Sequence, residues 1–240
     1  MTVHDAIARS LADILGRDCR SVILHGSLAA GGFRPGASDI DLLAVVDRPL
    51  TDGQADAIVA LLLDADLGDA TGVELDVITA RTARSPMPAP PLELHVGRYP
   101  TEVEIERRLT AAPDLPAELS MARQNGRALV GATPEQVLAP IPPEWVVARG
   151  RHWLRTWQGL TDDTDHAAFM VLTACRIWRF TAEHVHYPKT VAARWVLTQD
   201  PSLSAVGQAL RQYEGDSSAV VSVPGIADVL ARALSVGSVS

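Results

Sequence analysis

The chain has 240 residues, of which 47% are hydrophobic, and a formal net charge of −8. This composition can form a packed core and excludes a disordered chain. The acidic balance argues against a nucleic-acid binder and suits a cationic small substrate, although many merely soluble proteins are also acidic. No apolar run reaches the roughly 20 residues of a membrane span, and the N-terminus lacks a signal-peptide pattern, so we expect a cytoplasmic protein with no membrane partner.

Hydrophobic periodicity predicts a sheet domain in the first part of the chain. Apolar residues at helical spacing and β-rich runs alternate there, separated by a Pro-rich loop at 84–91. The predicted helices are 3–16, 51–67 and 116–131, the last ending at a glycine cap. The predicted strands are 21–26, 38–46, 72–80 and 92–99. This order indicates an α/β or α+β sheet domain.

The remainder of the chain is predicted to be helical. A second Pro-rich segment, 139–145, is the predicted boundary between a first domain at 1–142 and a second at 143–240. The predicted helices after it are 144–160, 166–184, 190–199, 202–215 and 226–234. Together they are typical of a helical bundle.

Two aspartates open the strand "SDIDLLAVV". Side chains alternate between the faces of a strand, so Asp39 and Asp41 point the same way while Ile40 and Leu42 point into the core. Adjacent carboxylates repel each other, and a shared cation removes that cost. Mg²⁺ is the natural candidate because it prefers hard oxygen ligands. Taken alone, the pattern also fits a solvated face of an edge strand.

Neighbouring segments favour the metal interpretation. Gly26 and Ser27 end the preceding strand, where glycine allows close approach of a ligand and exposed N–H groups can bind phosphate oxygens. The next strand, "GVELDVITA", carries Glu74 and Asp76 on one shared face. If it lies beside "SDIDLL", a third carboxylate meets the first two. His95, His166, His184 and His186 show no metal spacing tied to a carboxylate motif, and no role is predicted for them.

The stretch "HGSLAAGGFRPGASDIDLLAVV" resembles the G-S-x(~10)-D-x-D signature of the nucleotidyltransferase superfamily. More narrowly, the chain resembles the aminoglycoside adenylyltransferases that modify streptomycin and spectinomycin. Their third acidic strand is matched by "VELDVIT". Further resemblance lies in "ARQNGRALVGATPEQVLAPIPPEW" and in "VLTACRIWRFTAEHVHYPKTVAARWVL". The resemblance covers most of the chain.

The resemblance implies an α+β fold: an N-terminal nucleotidyltransferase domain with a mixed sheet and helices, followed by a C-terminal α-helical bundle. It also implies that ATP and the substrate bind in a cleft between the domains. Carried over to this sequence, Gly26 and Ser27 hold the triphosphate and Glu74 is the catalytic base. Lys189 reaches the phosphates and Tyr213 lines the ATP site.

The metal and the substrate follow from the same resemblance. Two Mg²⁺ ions are expected, and the candidate ligands and catalytic acids are Asp39, Asp41, Glu74 and Asp76. Close relatives often have an uncharged residue where Asp76 stands, so either acid of "VELDVIT" could be the third carboxylate. Streptomycin-modifying members carry a tryptophan and an asparagine where this chain has "GLTDDTDHAAF". The candidate lining for a polycationic substrate comprises Glu74, Glu93, Asp162, Asp163 and Asp165. The aspartates among them also suit a helix N-terminus.

The predicted reaction is transfer of AMP from ATP to a hydroxyl of an aminoglycoside or aminocyclitol, for resistance or self-protection. The expected partners are ATP and a cationic small molecule, with no nucleic acid, and a monomer is expected. Two alternatives stay open: a non-catalytic, antitoxin-like binding protein with this fold, and an adenylyltransferase for another small molecule. The complete carboxylate set favours an enzyme, because a scaffold does not need it.

Overall fold

The structure, a computed structural model, describes residues 1–216 and 218–237. The chain divides into two compact units, Met1–Pro142 and the residues from Pro143 onward. The last three residues of the predicted second domain, 238–240, lie outside the described residues.

The first unit contains a sheet with helices packed on both faces. Its strands are β1 (Cys19–Leu24), β2 (Ile40–Val46), β3 (Val73–Thr79), β4 (Leu92–Arg98), β5 (Val103–Leu109) and β6 (Arg127–Gly131). Its helices are α1 (Val3–Leu15), α2 (Gly26–Ala29), α3 (Asp52–Asp64), α4 (Ala80–Arg84), α5 (Leu115–Asn125) and α6 (Pro134–Val137). Thr2 and Thr51 cap α1 and α3 through capping boxes, which fixes where these helices begin.

The strands form one mixed sheet in the order β5-β4-β3-β2-β1-β6. β2 and β3 are parallel, and the other neighbouring pairs are antiparallel. In the parallel pair Asp41 lies opposite Glu74, and Leu43 lies opposite Asp76. The adjacency of β2 and β3, on which the predicted carboxylate cluster depends, is therefore present.

Each face of the sheet has its own apolar core. Leu42 and Leu75 pack with α1 and α3 on one face, where Leu11 and Ile58 are completely buried. On the other face Leu43, Val45 and Ile78 pack with Leu115 and Leu119 of α5. Asp41 of β2 and the two acids of β3, Glu74 and Asp76, alternate with the residues of the first core, so they belong to the face covered by α5.

The helix predicted over 116–131 is wrong in its second half. α5 ends at Asn125, and Arg127–Gly131 forms the edge strand β6 against β1. Gly126 permits the change of direction, because a Cβ there would lie 2.2 Å from the carbonyl oxygen of Ala122. The apolar residues of "RALVG" fit either a helix or a strand, and the pairing with β1 decides between them.

The second unit is helical, as predicted. Its helices are α7 (Pro143–Gln158), α8 (Ala167–Glu183), α9 (Lys189–Gln199), α10 (Ser204–Tyr213) and α11 (Val223–Ser235). α8 is the central helix, and its residues Val171, Leu172 and Ala174 are completely buried among the others. Among the described residues, no helix combines the length and the apolar character that crossing a membrane requires.

Candidate active site

Three carboxylates converge at one end of β2 and β3. One oxygen from each of Asp39, Asp41 and Glu74 lies within 4.8 Å of the others. The convergence follows from the parallel register, which sets Asp41 directly beside Glu74, and from the two-residue period that places Asp39 on the same face. All three side chains are partly buried. Three hard oxygen donors at this spacing fit a Mg²⁺ ion.

The convergence of the carboxylates changes the pKa of Glu74. Burial and the negative charges of Asp76 and Asp39 raise the pKa of Glu74 above its usual value, while His95 and a hydrogen bond from Tyr99 partly oppose the rise. The Tyr99 hydroxyl donates to Oε2 of Glu74 at 3.1 Å. A carboxylate with a raised pKa is suited to accept a proton.

Asp76 has a different partner. Its Oδ1 lies 2.8 Å from Nδ1 of His95, which stands directly opposite it on β4. Nε2 of His95 lies 3.6 Å from Glu104 on β5. Burial opposes a charge on His95, but the hydrogen bond and charge of Asp76, helped by Glu74 and Glu104, raise the pKa of His95 to about 9. The imidazole is therefore protonated at neutral pH and neutralises Asp76.

Gly26 packs directly against Asp41. Gly26 begins α2 with φ of +62°, and a Cβ at this position would lie 1.7 Å from Oδ2 of Asp41. Any side chain would therefore displace the carboxylate, and the left-handed backbone also favours glycine. The backbone N–H of His25 donates to the Asp41 carbonyl at 3.0 Å, which ties the turn to β2.

Two polar atoms beside Gly26 are buried without a hydrogen bond. The Ser27 hydroxyl and Nδ1 of His25 find no hydrogen-bond partner among the described residues. Burial lowers the pKa of His25 to about 4, despite the opposing charges of Asp76 and Asp39, so this side chain is neutral at neutral pH. Buried polar groups are normally satisfied, and the orphaned Ser27 hydroxyl therefore points to a ligand that accepts its proton.

Family models match both parts of the chain. A model described as "Nucleotidyltransferase domain" matches residues 6–107, which include the carboxylate cluster. A model described as "Aminoglycoside adenylyltransferase, C-terminal domain" matches residues 136–232. Together the two models match most of the chain, and the chain is similar to the aminoglycoside adenylyltransferases in its second part.

The individual relatives of the chain are also aminoglycoside adenylyltransferases. The chain is 29% identical over 198 residues to an aminoglycoside (3'') (9) adenylyltransferase from Escherichia coli, and the match covers 76% of this chain and 72% of the relative. It is 28% identical over the same length, with the same coverage, to the corresponding protein from Klebsiella pneumoniae.

A solved structure shares the fold. The crystal structure of a spectinomycin adenyltransferase from Enterococcus faecialis with ATP and spectinomycin superposes with a TM-score of 0.75 at 20% sequence identity. The match covers 96% of this chain and 98% of that chain. This similarity confirms the predicted architecture of a nucleotidyltransferase sheet domain followed by helices.

Glu93 lies apart from the cluster of Asp39, Asp41 and Glu74. It is on β4, and its carboxylate accepts a hydrogen bond from the backbone N–H of Leu50 at 3.2 Å, beyond the opposite end of β2. Glu93 thus has a structural partner of its own. Its role toward a substrate stays a prediction.

The remaining predicted site residues belong to the second unit. Asp162, Asp163 and Asp165 precede α8, and Asp163 accepts hydrogen bonds from the backbone N–H and the ring of His166. This contact supports the alternative that the aspartates organise the start of a helix. Lys189 begins α9, with Nζ 4.7 Å from the ring centroid of Phe169. Tyr213 is the last residue of α10.

His95 and Tyr99 join the site although no sequence motif marks them. His95 becomes a partner of Asp76 only through the register between β3 and β4. Tyr99 follows the end of β4 and reaches back to Glu74. The sequence signal for His95 is the alternation in "LELHVGRY", which places His95 on the same face as Glu93. This signal becomes useful only once β4 is known to neighbour β3.

Proposed function

We propose that this protein transfers AMP from ATP to a hydroxyl group of an aminoglycoside or aminocyclitol antibiotic. The observation that carries the proposal is the convergence of Asp39, Asp41 and Glu74 beside the Gly26–Ser27 turn. The match to the C-terminal domain model of the aminoglycoside adenylyltransferases and the names of the relatives support the substrate class. The relative solved with ATP and spectinomycin supports ATP as the co-substrate.

The acidic cluster has the composition that magnesium requires. Asp39, Asp41 and Glu74 supply only oxygen donors, whereas Asp76 is held by His95 at 2.8 Å. These three residues would hold Mg²⁺. The bound ion would supply charge neutralisation for the triphosphate and the attacking oxygen. A second ion, held in part by Glu74, is the expectation from the family resemblance.

The Gly26–Ser27 turn would bind the triphosphate. The absence of a side chain at Gly26 keeps Asp41 in place and lets the backbone approach a ligand closely. The Ser27 hydroxyl would donate to a phosphate oxygen and so gain the partner it otherwise lacks. Lys189 and Tyr213 remain predicted nucleotide contacts from the second unit.

Glu74 would act as the general base. As the substrate oxygen forms its bond to the α-phosphorus, the bond between that phosphorus and the pyrophosphate oxygen breaks, and the hydroxyl proton passes to Glu74. Asp76 is unsuited to this role because His95 already holds its carboxylate in an ion pair. Burial and neighbouring charge raise the pKa of Glu74, which strengthens it as a proton acceptor.

Acidic residues would also attract the substrate. Aminoglycosides are polycationic, and Glu74 is the acid that would contact the acceptor hydroxyl directly. Glu93, Asp162, Asp163 and Asp165 are proposed as further acidic groups for substrate binding. We further expect the protein to act as a monomer in the cytoplasm, without nucleic-acid partners.

The experiment is a panel of aminoglycosides and aminocyclitols incubated with ATP and Mg²⁺ and read by mass spectrometry. The expected product is one acceptor that gains the mass of one AMP, with release of pyrophosphate. Chelation of the divalent ion should stop the reaction. A panel that includes spectinomycin and streptomycin but yields no adenylylated product would contradict the proposal and favour a binding protein or another small-molecule acceptor.

A further inference from the structure

The Tyr99 side chain is fixed from several directions beside the proposed base. Its hydroxyl donates to Oε2 of Glu74 at 3.1 Å. Its backbone N–H donates to the carbonyl of Glu102 at 2.8 Å, which closes the turn after β4. The side chain is partly buried. The hydroxyl is therefore held at a defined position rather than left to rotate in solvent.

Two glycines make room for the ring. A Cβ at Gly97 would lie 2.8 Å from Cε2 and 2.9 Å from the hydroxyl oxygen of Tyr99. A Cβ at Gly72 would lie 3.3 Å from Cδ1 of the same ring and 2.7 Å from the carbonyl oxygen of Arg98. Gly97 stands opposite Glu74 in the register of β3 and β4. The ring of Tyr99 thus lies over Gly97, the residue opposite Glu74, and its hydroxyl reaches the Glu74 carboxylate.

From this geometry we propose that Tyr99 is a positioning residue for Glu74, and that it occupies one carboxylate oxygen so that the other is presented to the metal and the acceptor hydroxyl. The inference rests on the proposed function only in taking Glu74 as the base. A tyrosine hydroxyl is protonated at neutral pH, so Tyr99 is the donor in this contact. Tyr99 itself exchanges no proton with the substrate.

The test is a double-mutant cycle with Tyr99→Phe and Glu74→Gln. Loss of a hydrogen bond to a charged group should lower kcat in Tyr99→Phe by about 10- to 100-fold, with KM for ATP within about twofold of wild type. In the Glu74→Gln background the same change should have almost no further effect, because the group being positioned is gone. Tyr187→Phe, which deletes a hydroxyl in the second unit, is the matched control and should leave kcat unchanged.

Gly97→Ala provides a second way to break the hydrogen bond between Tyr99 and Glu74. The added methyl group would push the ring from Glu74 while the hydroxyl remains chemically present. Gly97→Ala should therefore reproduce the kcat loss of Tyr99→Phe, and the two changes together should lose little more than either alone. Thermal unfolding followed by circular dichroism checks that each variant is folded.

Binding of Mn²⁺ without any acceptor gives a readout that does not need turnover. In calorimetry, Tyr99→Phe should weaken Mn²⁺ binding by about tenfold relative to wild type. The double variant should bind Mn²⁺ as weakly as Glu74→Gln alone. If wild type forms no AMP product but this coupling in Mn²⁺ binding is present, the proposed function fails and the positioning role stands. Equal losses from Tyr99→Phe with and without Glu74, or no change in either kcat or Mn²⁺ affinity, would overturn the inference.

Discussion

Glu74 and Asp76 stand two residues apart on the same face of β3, yet their surroundings differ. Glu74 lies with Asp41 of β2 and with Asp39 immediately before that strand, and it accepts a hydrogen bond from the Tyr99 hydroxyl. Asp76 faces β4, where His95 donates to it at 2.8 Å. The difference teaches that the neighbouring strand, rather than the acid itself, decides whether a carboxylate is available to a metal or already neutralised.

The contrast favours Glu74 over Asp76 as the third carboxylate of the cluster. Both acids share a face, so the alternation of "VELDVIT" leaves their roles equivalent. The protonated imidazole of His95 is hydrogen-bonded to Asp76 at 2.8 Å, whereas it acts on Glu74 through its charge. We therefore propose that Asp76 is a structural acid and that Glu74 is the acid that takes part in the reaction.

The largest effect is expected from Asp41→Asn. This change removes one charged ligand from the acidic cluster, and activity should fall by more than about 100-fold, since even residues that only support metal ligands contribute 10- to 100-fold. Folding should be retained, as judged by thermal unfolding. Asp64→Asn, on the exposed end of α3, is the matched control. Turnover close to wild type in Asp41→Asn would remove the metal role of the cluster.

The next prediction concerns stability and tests whether a protonated His95 neutralises Asp76. The pKa of His95 is raised to about 9 in the folded protein, above its value of about 6.5 in an unfolded chain. The contribution of His95 to the free energy of unfolding should be complete below about pH 6.5 and lost as the pH rises through 9. The size of the pKa shift limits this contribution to at most about 3 kcal/mol. The free energy of unfolding of wild type minus that of His95→Gln, measured by urea denaturation, should therefore shrink over this range.

Asp76, Glu74 and Glu104 are the charged groups that raise the pKa of His95, so His95→Gln leaves their mutual repulsion without a counter-charge. The variant should consequently be less stable than wild type at pH 6. A difference between the two proteins that stays constant or grows toward pH 9 would show that His95 is neutral in the folded state. Asp76 would then have no permanent counter-ion, and the contrast with Glu74 would be lost.

The smallest effect is expected at the phosphate side of the site. Ser27→Ala removes a hydroxyl that has no protein partner among the described residues, so the free protein should lose no stability. The KM for ATP should rise by about tenfold because one donor to a phosphate oxygen is missing. Ser10→Ala on α1 is the matched control. An unchanged KM for ATP would mean that the Ser27 hydroxyl does not meet the nucleotide.

Much of the active-site strand pair could be predicted from local pattern. Alternation along "SDIDLLAVV" and "GVELDVITA" places each pair of acids on one face, and the apolar residues between them fill the opposite core as expected. The capping residues Thr2 and Thr51 mark the beginnings of α1 and α3 in the sequence. These features depend on residues close together in the chain, which is why the pattern is sufficient.

Other features depend on pairing between distant segments. "RALVG" becomes a strand because β1 lies beside it, and "VEIERRL" becomes the edge strand β5 through β4. The contact of His95 with Asp76 requires the register of two strands joined by a long connection, and Tyr99 reaches Glu74 only where Gly97 leaves space. No local periodicity contains this information, so these residues emerge only from the folded structure.

The most direct test of the account compares Glu74→Gln with Asp76→Asn in the same single-turnover assay of AMP transfer at neutral pH. If Glu74 takes the proton, its replacement should slow transfer by about 100- to 10,000-fold, whereas Asp76→Asn should slow it by no more than about tenfold. The opposite order, with Asp76→Asn abolishing transfer and Glu74→Gln nearly active, would contradict the division of roles between the two acids of β3.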